Sequence, residues 1–192
     1  MPYNIMSKKR QKVVIGLMGT IASGKGTVAD FLVKRYGFKR IIMGNLVRAE
    51  ARKLKLKPTR ENLHNLQARI RAKKPHYFIN KVIERIRKSK WQRWVVDGLR
   101  NPDQAALLKK TFNAKIIFID APVEIRWKRA KKRGRSYEAR ESLKEFIERE
   151  KEENKIFNFH ITKRYADFKL INCKGKRDLY EKIKKIIRKI LN

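Results

Sequence analysis

Five short apolar runs rich in β-branched residues recur along the chain, and segments with helical periodicity separate them. The runs are Val13–Met18, Phe38–Met43, Trp94–Asp97, Lys115–Ile119 and Asp167–Ile171. Strands that alternate with helices form a parallel sheet that is covered by helices on both faces. The pattern therefore predicts an α/β fold, a three-layer sandwich around a five-stranded parallel sheet.

Two stretches between the predicted strands are longer than one crossover helix. Residues 45–90 predict a helical insert after the second strand, and residues 124–165 predict an arginine-rich region after the fourth. In an open α/β sheet the carboxyl ends of the strands line the ligand crevice, so both inserts begin beside the predicted ligand site. The composition of residues 1–11 predicts a basic, flexible tail. The length of the chain predicts that residues 1–192 form a single domain.

The first apolar run leads directly into the nine residues GTIASGKGT at positions 19–27, and a helical pattern follows. Glycines let such a loop curl so that its N–H groups point at an anion, and the next helix adds its positive N-terminal end. The lysine of the loop reaches the outer phosphates. We therefore predict a P-loop NTPase fold. The candidate phosphate-binding residues are Gly19, Ala22, Ser23, Gly24, Lys25, Gly26 and Thr27.

Composition excludes several other classes of protein. The chain has 192 residues, of which 42% are hydrophobic, and no segment approaches the roughly 20 apolar residues of a membrane span. A single cysteine, Cys173, excludes an intramolecular disulfide and favours a reducing, cytoplasmic setting. One cysteine and three scattered histidines offer no zinc ligand set.

The net charge of the chain is its second unusual property. Against 18 acidic residues stand 52 basic ones, which gives a net charge of +34. A polyanion partner such as RNA or a ribosome would explain this excess, as would steering of phosphorylated substrates. A lysine-rich organism with solvated basic helix faces would explain it equally. The sequence leaves both interpretations open, and it does not indicate the oligomeric state.

Four segments together resemble the nucleoside monophosphate kinases, of which adenylate kinase is the best-known member. The loop matches the loop of that family, in which a glycine and a threonine follow the lysine. The resemblance implies ATP and Mg²⁺ as cofactors. It also implies a ribo- or deoxyribonucleoside monophosphate as the nucleotide substrate that accepts the phosphoryl group.

Two of these segments imply the acceptor and metal residues. The stretch MGNLVRAE at residues 43–50 resembles the T-G-D-L-L-R helix of the family, which implies that Gly44 and Arg48 bind the phosphate of the acceptor. The stretch DGLR at residues 97–100 resembles D-G-Y-P-R, with its arginine one residue early. It implies that Asp97, together with Thr27, holds magnesium and that Arg100 contacts phosphate. In this respect the stretch more closely resembles the D-G-x-R motif of archaeal and bacterial nucleotide-kinase-like proteins.

The fourth segment resembles the R-x-x-x-R-G start of the mobile lid in the family. A spacing of four places Arg129 and Arg133 on one helix face. By resemblance these two arginines, with Lys25 and Arg100, are the candidate catalytic residues that neutralise charge on the transferred phosphoryl group. The loop after the fifth strand, which begins at Asn172, resembles the loop that closes over the ATP base.

Three hypotheses about function follow. An anionic phosphate acceptor needs no general base, whereas a hydroxyl acceptor usually recruits a carboxylate. The residues after the second strand, Gly44 and Asn45, offer none, which favours a nucleotide phosphate. The first alternative is a dephospho-CoA kinase, which the end of the chain also resembles. The second is a nucleotide-dependent protein that binds RNA or the ribosome through its basic surface.

Overall fold

The computed structural model describes residues 12–134 and 136–192. The basic tail that we predict over residues 1–11 lies outside the described residues. Strands and helices alternate along the rest of the chain. The strands are β1 (Val13–Gly19), β2 (Lys39–Ile42), β3 (Arg93–Asp97), β4 (Lys115–Asp120) and β5 (Phe168–Ile171). The helices are α1 (Lys25–Tyr36), α2 (Met43–Lys53), α3 (Arg60–Lys73), α4 (Tyr77–Lys88), α5 (Pro102–Phe112), α6 (Val123–Arg133), α7 (Leu143–Ile156), α8 (Phe159–Thr162) and α9 (Lys176–Leu191).

All five strands pair in parallel, in the spatial order β2-β3-β1-β4-β5. This arrangement confirms the predicted fold class. Because β1 is central, the loop that follows it emerges between the carboxyl ends of β3 and β4. In the strand register Leu17 lies opposite Asp97, and Gly19 lies opposite Ile119. The topology thus places the predicted phosphate loop at the middle of the ligand-facing edge.

The alternation of side chains along β1 builds a core on each face of the sheet. Val14 and Met18 belong to a buried cluster with residues of α2, α4 and α5. Ile15 and Leu17 point to the other face and pack with residues of α1 and α9. Both faces are therefore covered, which explains why the strands read as nearly continuous apolar runs.

The predicted second strand, Phe38–Met43, is one residue too long at each end. The backbone N–H of Phe38 donates to the carbonyl of Leu32 and so completes the end of α1. Met43 is the first residue of α2 and is buried. The chain therefore turns from strand to helix without a connecting loop, and the backbone N–H groups at the start of α2 open at the ligand-facing edge.

The stretches between strands are helical where the sequence predicted inserts. Helices α2, α3 and α4 lie between β2 and β3, and α6, α7 and α8 lie between β4 and β5, with 3-10 turns at Ser136–Ala139 and Lys163–Tyr165. Within the described parts of the chain, no helix combines the length and apolar character needed to cross a membrane.

Candidate phosphoryl-transfer site

At two positions the loop after β1 adopts a backbone arrangement that only glycine permits. A Cβ on Gly19 would lie 2.0 Å from the carbonyl oxygen of Ile119 on β4, so any side chain would force the two strands apart. Gly24 has a φ of +103°, and a Cβ there would lie 2.4 Å from the amide nitrogen of Asn172. Helix α1 begins at the next residue, Lys25. The loop therefore presents the N-terminus of α1 to the crevice, as a phosphate site requires.

Asn172, which follows β5, holds this loop in place. Its buried side-chain amide donates to the carbonyl of Ser23 over 2.8 Å, and its backbone carbonyl accepts from Nη2 of Arg129 over 3.1 Å. One residue, through its side chain and its backbone carbonyl, thus links the phosphate loop to the predicted lid helix, α6. Sequence reasoning assigned this segment to the loop over the ATP base and missed the contact with the phosphate loop.

The ammonium group of Lys25 folds back over the loop. It donates to the carbonyls of Gly19 and Thr20 over 2.8 and 2.7 Å. The pKa of Lys25 is lowered to about 8, mainly by burial and next by the nearby Arg100, against the opposing effect of Asp97. Glu153 also raises it, whereas Arg133 lowers it. A bound polyphosphate would reverse the loss of basicity, because an anion favours the charged form of lysine.

Two buried polar atoms near the loop fit an anionic ligand. Oγ of Ser23 and Nη1 of Arg129 are both buried and have no hydrogen-bond partner among the described residues. A buried donor without a partner is costly, on the order of 1–3 kcal/mol. Burial also lowers the pKa of Arg129. The phosphate oxygens of a nucleotide would supply the acceptors that these two donors need.

Asp97 is buried at the carboxyl end of β3 and is bound by an arginine that sequence reasoning missed. Arg40 on β2 donates to Oδ2 of Asp97 through Nε at 3.1 Å and also through Nη2. Its Nη1 donates to Asp30 on α1 over 2.6 Å. Thr27, the other candidate magnesium residue, lies on the first turn of α1 and lines a groove with Asp30 and Phe31. The structure therefore places Asp97 beside the phosphate loop with Oδ2 already bonded.

Asp120, at the end of β4, fixes the other side of the loop. Its Oδ1 accepts from the hydroxyl of Thr20 over 2.6 Å and from the backbone N–H of Ala121 over 2.9 Å. These bonds tie the loop to the strand that neighbours β1. The carboxylate thus serves to position the loop.

The two lid arginines lie on α6 but have different partners. Arg129 contacts the backbone of Asn172, as described above. Arg133 forms a two-pronged ion pair with the buried carboxylate of Glu138, in which its Nε lies 3.0 Å from Oε2. Arg133 is nevertheless close enough to Lys25 to lower its pKa. Arg129 thus contacts a residue that holds the loop, Arg133 is paired with Glu138, and the catalytic role of both arginines stays a prediction.

On the acceptor side, Arg48 lies over the start of α2. Its Nη2 donates to Oδ1 of Asn45 over 2.5 Å, and its guanidinium lies 3.4 to 3.7 Å from the position that a Cβ on Gly44 would take. A Cβ at position 44 would therefore make ordinary van der Waals contact with the guanidinium, which lies beside the start of the helix. Arg100, which follows β3, has its guanidinium over the ring of Phe157 and its Nη1 3.6 Å from Glu153.

The comparisons with known proteins agree with this geometry. A five-stranded parallel sheet with a phosphate loop after its central strand defines a P-loop kinase-like domain. A family model described as an AAA domain matches residues 18–144. Solved structures show the same fold: shikimate kinase from Acinetobacter baumannii in complex with shikimate has a TM-score of 0.61 at 16% identity, over 93% of this chain and 94% of that one. The protein TT1252 from Thermus thermophilus has a TM-score of 0.59 at 18% identity, over 94% and 98%.

Relatives in archaea narrow the class to a family. The chain is 32% identical to the UPF0200 protein of Pyrococcus abyssi over 187 residues, which cover 93% of this chain and 97% of the relative. It is 33% identical to the UPF0200/UPF0201 protein of Archaeoglobus fulgidus over 182 residues, which cover 92% of this chain and 55% of that longer relative. The chain therefore belongs to the UPF0200 family of P-loop kinase-like proteins. The comparisons support this broader class and do not single out the nucleoside monophosphate kinases within it.

Proposed function

We propose that the protein transfers the γ-phosphoryl group of ATP to the phosphate of a nucleoside or deoxynucleoside monophosphate. The observation that carries this proposal is the phosphate loop at the middle of the ligand-facing edge, where the ammonium group of Lys25 folds over the loop and the unpartnered Nη1 of Arg129 lies on the neighbouring lid helix. Asp97 lies opposite Leu17 in the strand register, and the nearby Arg100 and Arg133 lower the pKa of Lys25. Such a set of charged side chains at the end of a phosphate loop suits charge neutralisation during phosphoryl transfer.

On the donor side, the loop and Lys25 would bind the outer phosphates of ATP. The unpartnered Oγ of Ser23 and Nη1 of Arg129 suit phosphate oxygens. Mg²⁺, when bound, would neutralise negative charge on the phosphates of ATP. Thr27 and Oδ1 of Asp97 are the candidate oxygens for it, because the Arg40 contacts fall on Oδ2.

On the acceptor side, the chemistry asks for positioning rather than proton removal. A phosphate oxygen is already anionic, so it attacks the γ-phosphorus without a general base. Arg48 and Arg100 would hold that phosphate in line, and Arg129 and Arg133 would neutralise the charge on the transferred group. Arginine is suited to this task because its planar donors match phosphate oxygens.

A panel of acceptors tests the proposal. The protein is incubated with ATP, Mg²⁺ and each ribo- and deoxyribonucleoside monophosphate, and the products are separated by ion-exchange chromatography. We expect one or more diphosphates to form, and none with a Lys25→Met variant. Failure of every monophosphate would reject the proposal. Dephospho-CoA belongs in the same panel, since a product there with no diphosphates would establish the hydroxyl-acceptor alternative.

A groove between α1 and α9 favours a nucleic-acid partner as a second candidate function. Its volume is about 410 Å³, and its lining includes the basic residues Lys34, Arg35 and Lys176. The rings of Phe31 and Tyr180 stack there, with centroids 4.4 Å apart. Basic side chains beside aromatic rings suit single-stranded RNA. Binding of a labelled RNA oligonucleotide at rising salt, with Tyr180→Ala as the variant, tests this; equal binding by wild type and variant would reject the groove.

A further inference from the structure

One carboxylate on α7 lies between two arginines from distant parts of the chain. Glu153 accepts from Nη2 of Arg60, at the start of α3, through its Oε1. Its Oε2 lies 3.6 Å from Nη1 of Arg100, which follows β3. The side chain of Glu153 is only 15% exposed, whereas that of Arg100 is 45% exposed. Two guanidinium groups thus lie beside one carboxylate that is mostly shielded from water.

This cluster lies within electrostatic reach of the phosphate loop. The backbone N–H of Leu99 donates to the carbonyl of Leu17 on β1 over 3.1 Å, which places Arg100, the next residue, beside the strand that leads into the phosphate loop. In agreement, Arg100 lowers the pKa of Lys25 and Glu153 raises it. The guanidinium of Arg100 is supported from one side by the ring of Phe157, at 5.1 Å. The position of the carboxylate is therefore near the donor site and is bordered by donors whose orientation the protein fixes.

The chemistry of the two arginines points to a phosphate at this position. Guanidinium groups form paired, charge-assisted hydrogen bonds with carboxylate and with phosphate alike. A protein carboxylate that neutralises two arginines in the free protein lies where an acceptor phosphate would be neutralised in the complex. Arg60 belongs to none of the four segments that resemble nucleoside monophosphate kinases, so the sequence motifs do not identify it.

We propose that Arg60 and Arg100 form a clamp for the acceptor phosphate and that the carboxylate of Glu153 occupies the clamp until that phosphate displaces it. The clamp deepens the proposed function and rests on it. Arg60 would be an acceptor-binding residue, and Glu153 would set the affinity for the acceptor by competing with its phosphate.

The proposal makes the two partners of one ion pair respond in opposite directions. Removing Arg60 removes a phosphate ligand, whereas removing the charge of Glu153 removes the competitor and leaves both arginines in place. If the pair merely joins α3 to α7, either substitution breaks the same bond, and the two variants change together. The sign of the two effects therefore distinguishes a phosphate site from a structural bridge.

The experiment is a calorimetric titration of inorganic phosphate into protein saturated with Mg²⁺ and a non-hydrolysable ATP analogue, which fills the phosphate loop. We expect Arg60→Gln to weaken phosphate binding about tenfold and Glu153→Gln to tighten it about threefold. The exposed residues Arg69 on α3 and Glu84 on α4 provide the controls, because neither lines the cavity that contains Arg60 and Glu153. Arg69→Gln and Glu84→Gln make the same changes in net charge and are expected to shift the affinity less than twofold.

Shifts in the same direction, no shift in either variant, or no phosphate binding by the wild-type protein would overturn the clamp. If Arg60→Gln does not fold, Arg60→Lys keeps the charge without the planar fork and is expected to weaken binding about threefold. The acceptor panel is read separately. Opposite shifts without any diphosphate product would reject the proposed function and still support a phosphate site at the clamp. Diphosphate product without opposite shifts would support the proposed function and reject the clamp.

Discussion

The two sides of the candidate site are built in different ways. On the donor side, the phosphate loop is shaped by its own backbone: Gly19 fits against the carbonyl of Ile119, and Asn172 bonds to the carbonyl of Ser23. On the lid and acceptor side, arginines are held by glutamates, as in the pair of Arg133 with Glu138. Backbone interactions prepare the donor side for an anion, whereas an anion that binds a glutamate-paired arginine on the other side would have to displace a protein carboxylate. Arg48 and Arg129 differ, because their partners are Asn45 and Asn172.

The glutamates of the lid side are concentrated in a short part of the chain. Seven of the 18 acidic residues fall between positions 138 and 153. Several of them pair with arginines: Glu138 with Arg133, Glu141 with Arg149, Glu150 with Arg126, and Glu153 with Arg60 and Arg100. In a chain with a net charge of +34, this segment carries its own counterions. A phosphate that binds the arginines of this segment would therefore compete with internal carboxylates.

The largest expected effect is the loss of turnover when the donor side loses its lysine. Lys25→Met keeps a side chain of similar length, so the fold is expected to persist, as circular dichroism would show. The rate of phosphoryl transfer is expected to fall about a thousandfold or more, since removal of one preorganised charge in a phosphoryl-transfer site has effects of this size. The measurement is kcat with the acceptor that the panel identifies. A variant with more than a tenth of wild-type kcat would show that the loop does not act as described.

The next effect tests whether the lid side depends on its ion pairs for stability. Arg126 is buried; its Nε donates to the carbonyl of Ala121 over 2.7 Å, and Nη2 donates to Glu150 over 2.8 Å. Arg126→Met would leave the carboxylate of Glu150, which is 14% exposed, without this partner. We expect the free energy of unfolding to fall by about 3 kcal/mol, measured by urea denaturation.

The matched control for that measurement is an exposed pair. Lys184 lies 2.7 Å from Glu181 on the surface of α9, and Lys184→Met is expected to change the free energy of unfolding by less than about 0.5 kcal/mol. Equal losses in Arg126→Met and Lys184→Met would contradict the view that buried arginine–glutamate pairs organise the lid side.

These two sides also differ in how far the sequence predicts them. The sheet and the phosphate loop follow from local patterns, because apolar alternation and glycines act over a few residues. The partners of the charged groups do not. Arg40 and Asp97 are 57 positions apart, Asn172 and Ser23 are 149 apart, and Arg60 and Glu153 are 93 apart. Only the fold brings such residues together, and in a chain this basic a single arginine or glutamate carries little signal in the sequence.

A smaller effect is the pH dependence of ATP binding, which we expect on the donor side because of Lys25. The pKa of Lys25 is lowered to about 8 in the free protein, mainly by burial, and bound ATP would raise it. Protonated lysine is the form that binds phosphate. Above pH 8, ATP binding must therefore take up a proton, and affinity falls as pH rises, by up to about tenfold per pH unit until the pKa of the complex is reached.

The measurement is the dissociation constant of the ATP analogue between pH 7.5 and 9.5. Lys25→Arg is the control, because a guanidinium stays charged over this range. The variant is expected to show a flatter profile than the wild type. The same slope in both proteins would assign the pH dependence to another group and would contradict the role of Lys25 burial.

The smallest effect is expected from Arg48, which differs from the other acceptor arginine in its partner. Its guanidinium donates a hydrogen bond to the neutral side chain of Asn45, so a phosphate would displace an amide rather than a carboxylate. Arg48→Ala is expected to raise the KM for the acceptor about fivefold and to leave the KM for ATP unchanged, because the contact is confined to one substrate. Arg52→Ala, an exposed position on the same helix, is the control for net charge. If Arg48→Ala leaves acceptor affinity unchanged, or if both KM values rise together, Arg48 is not an acceptor ligand, and the clamp of Arg60 and Arg100 would be the principal phosphate contact on that side.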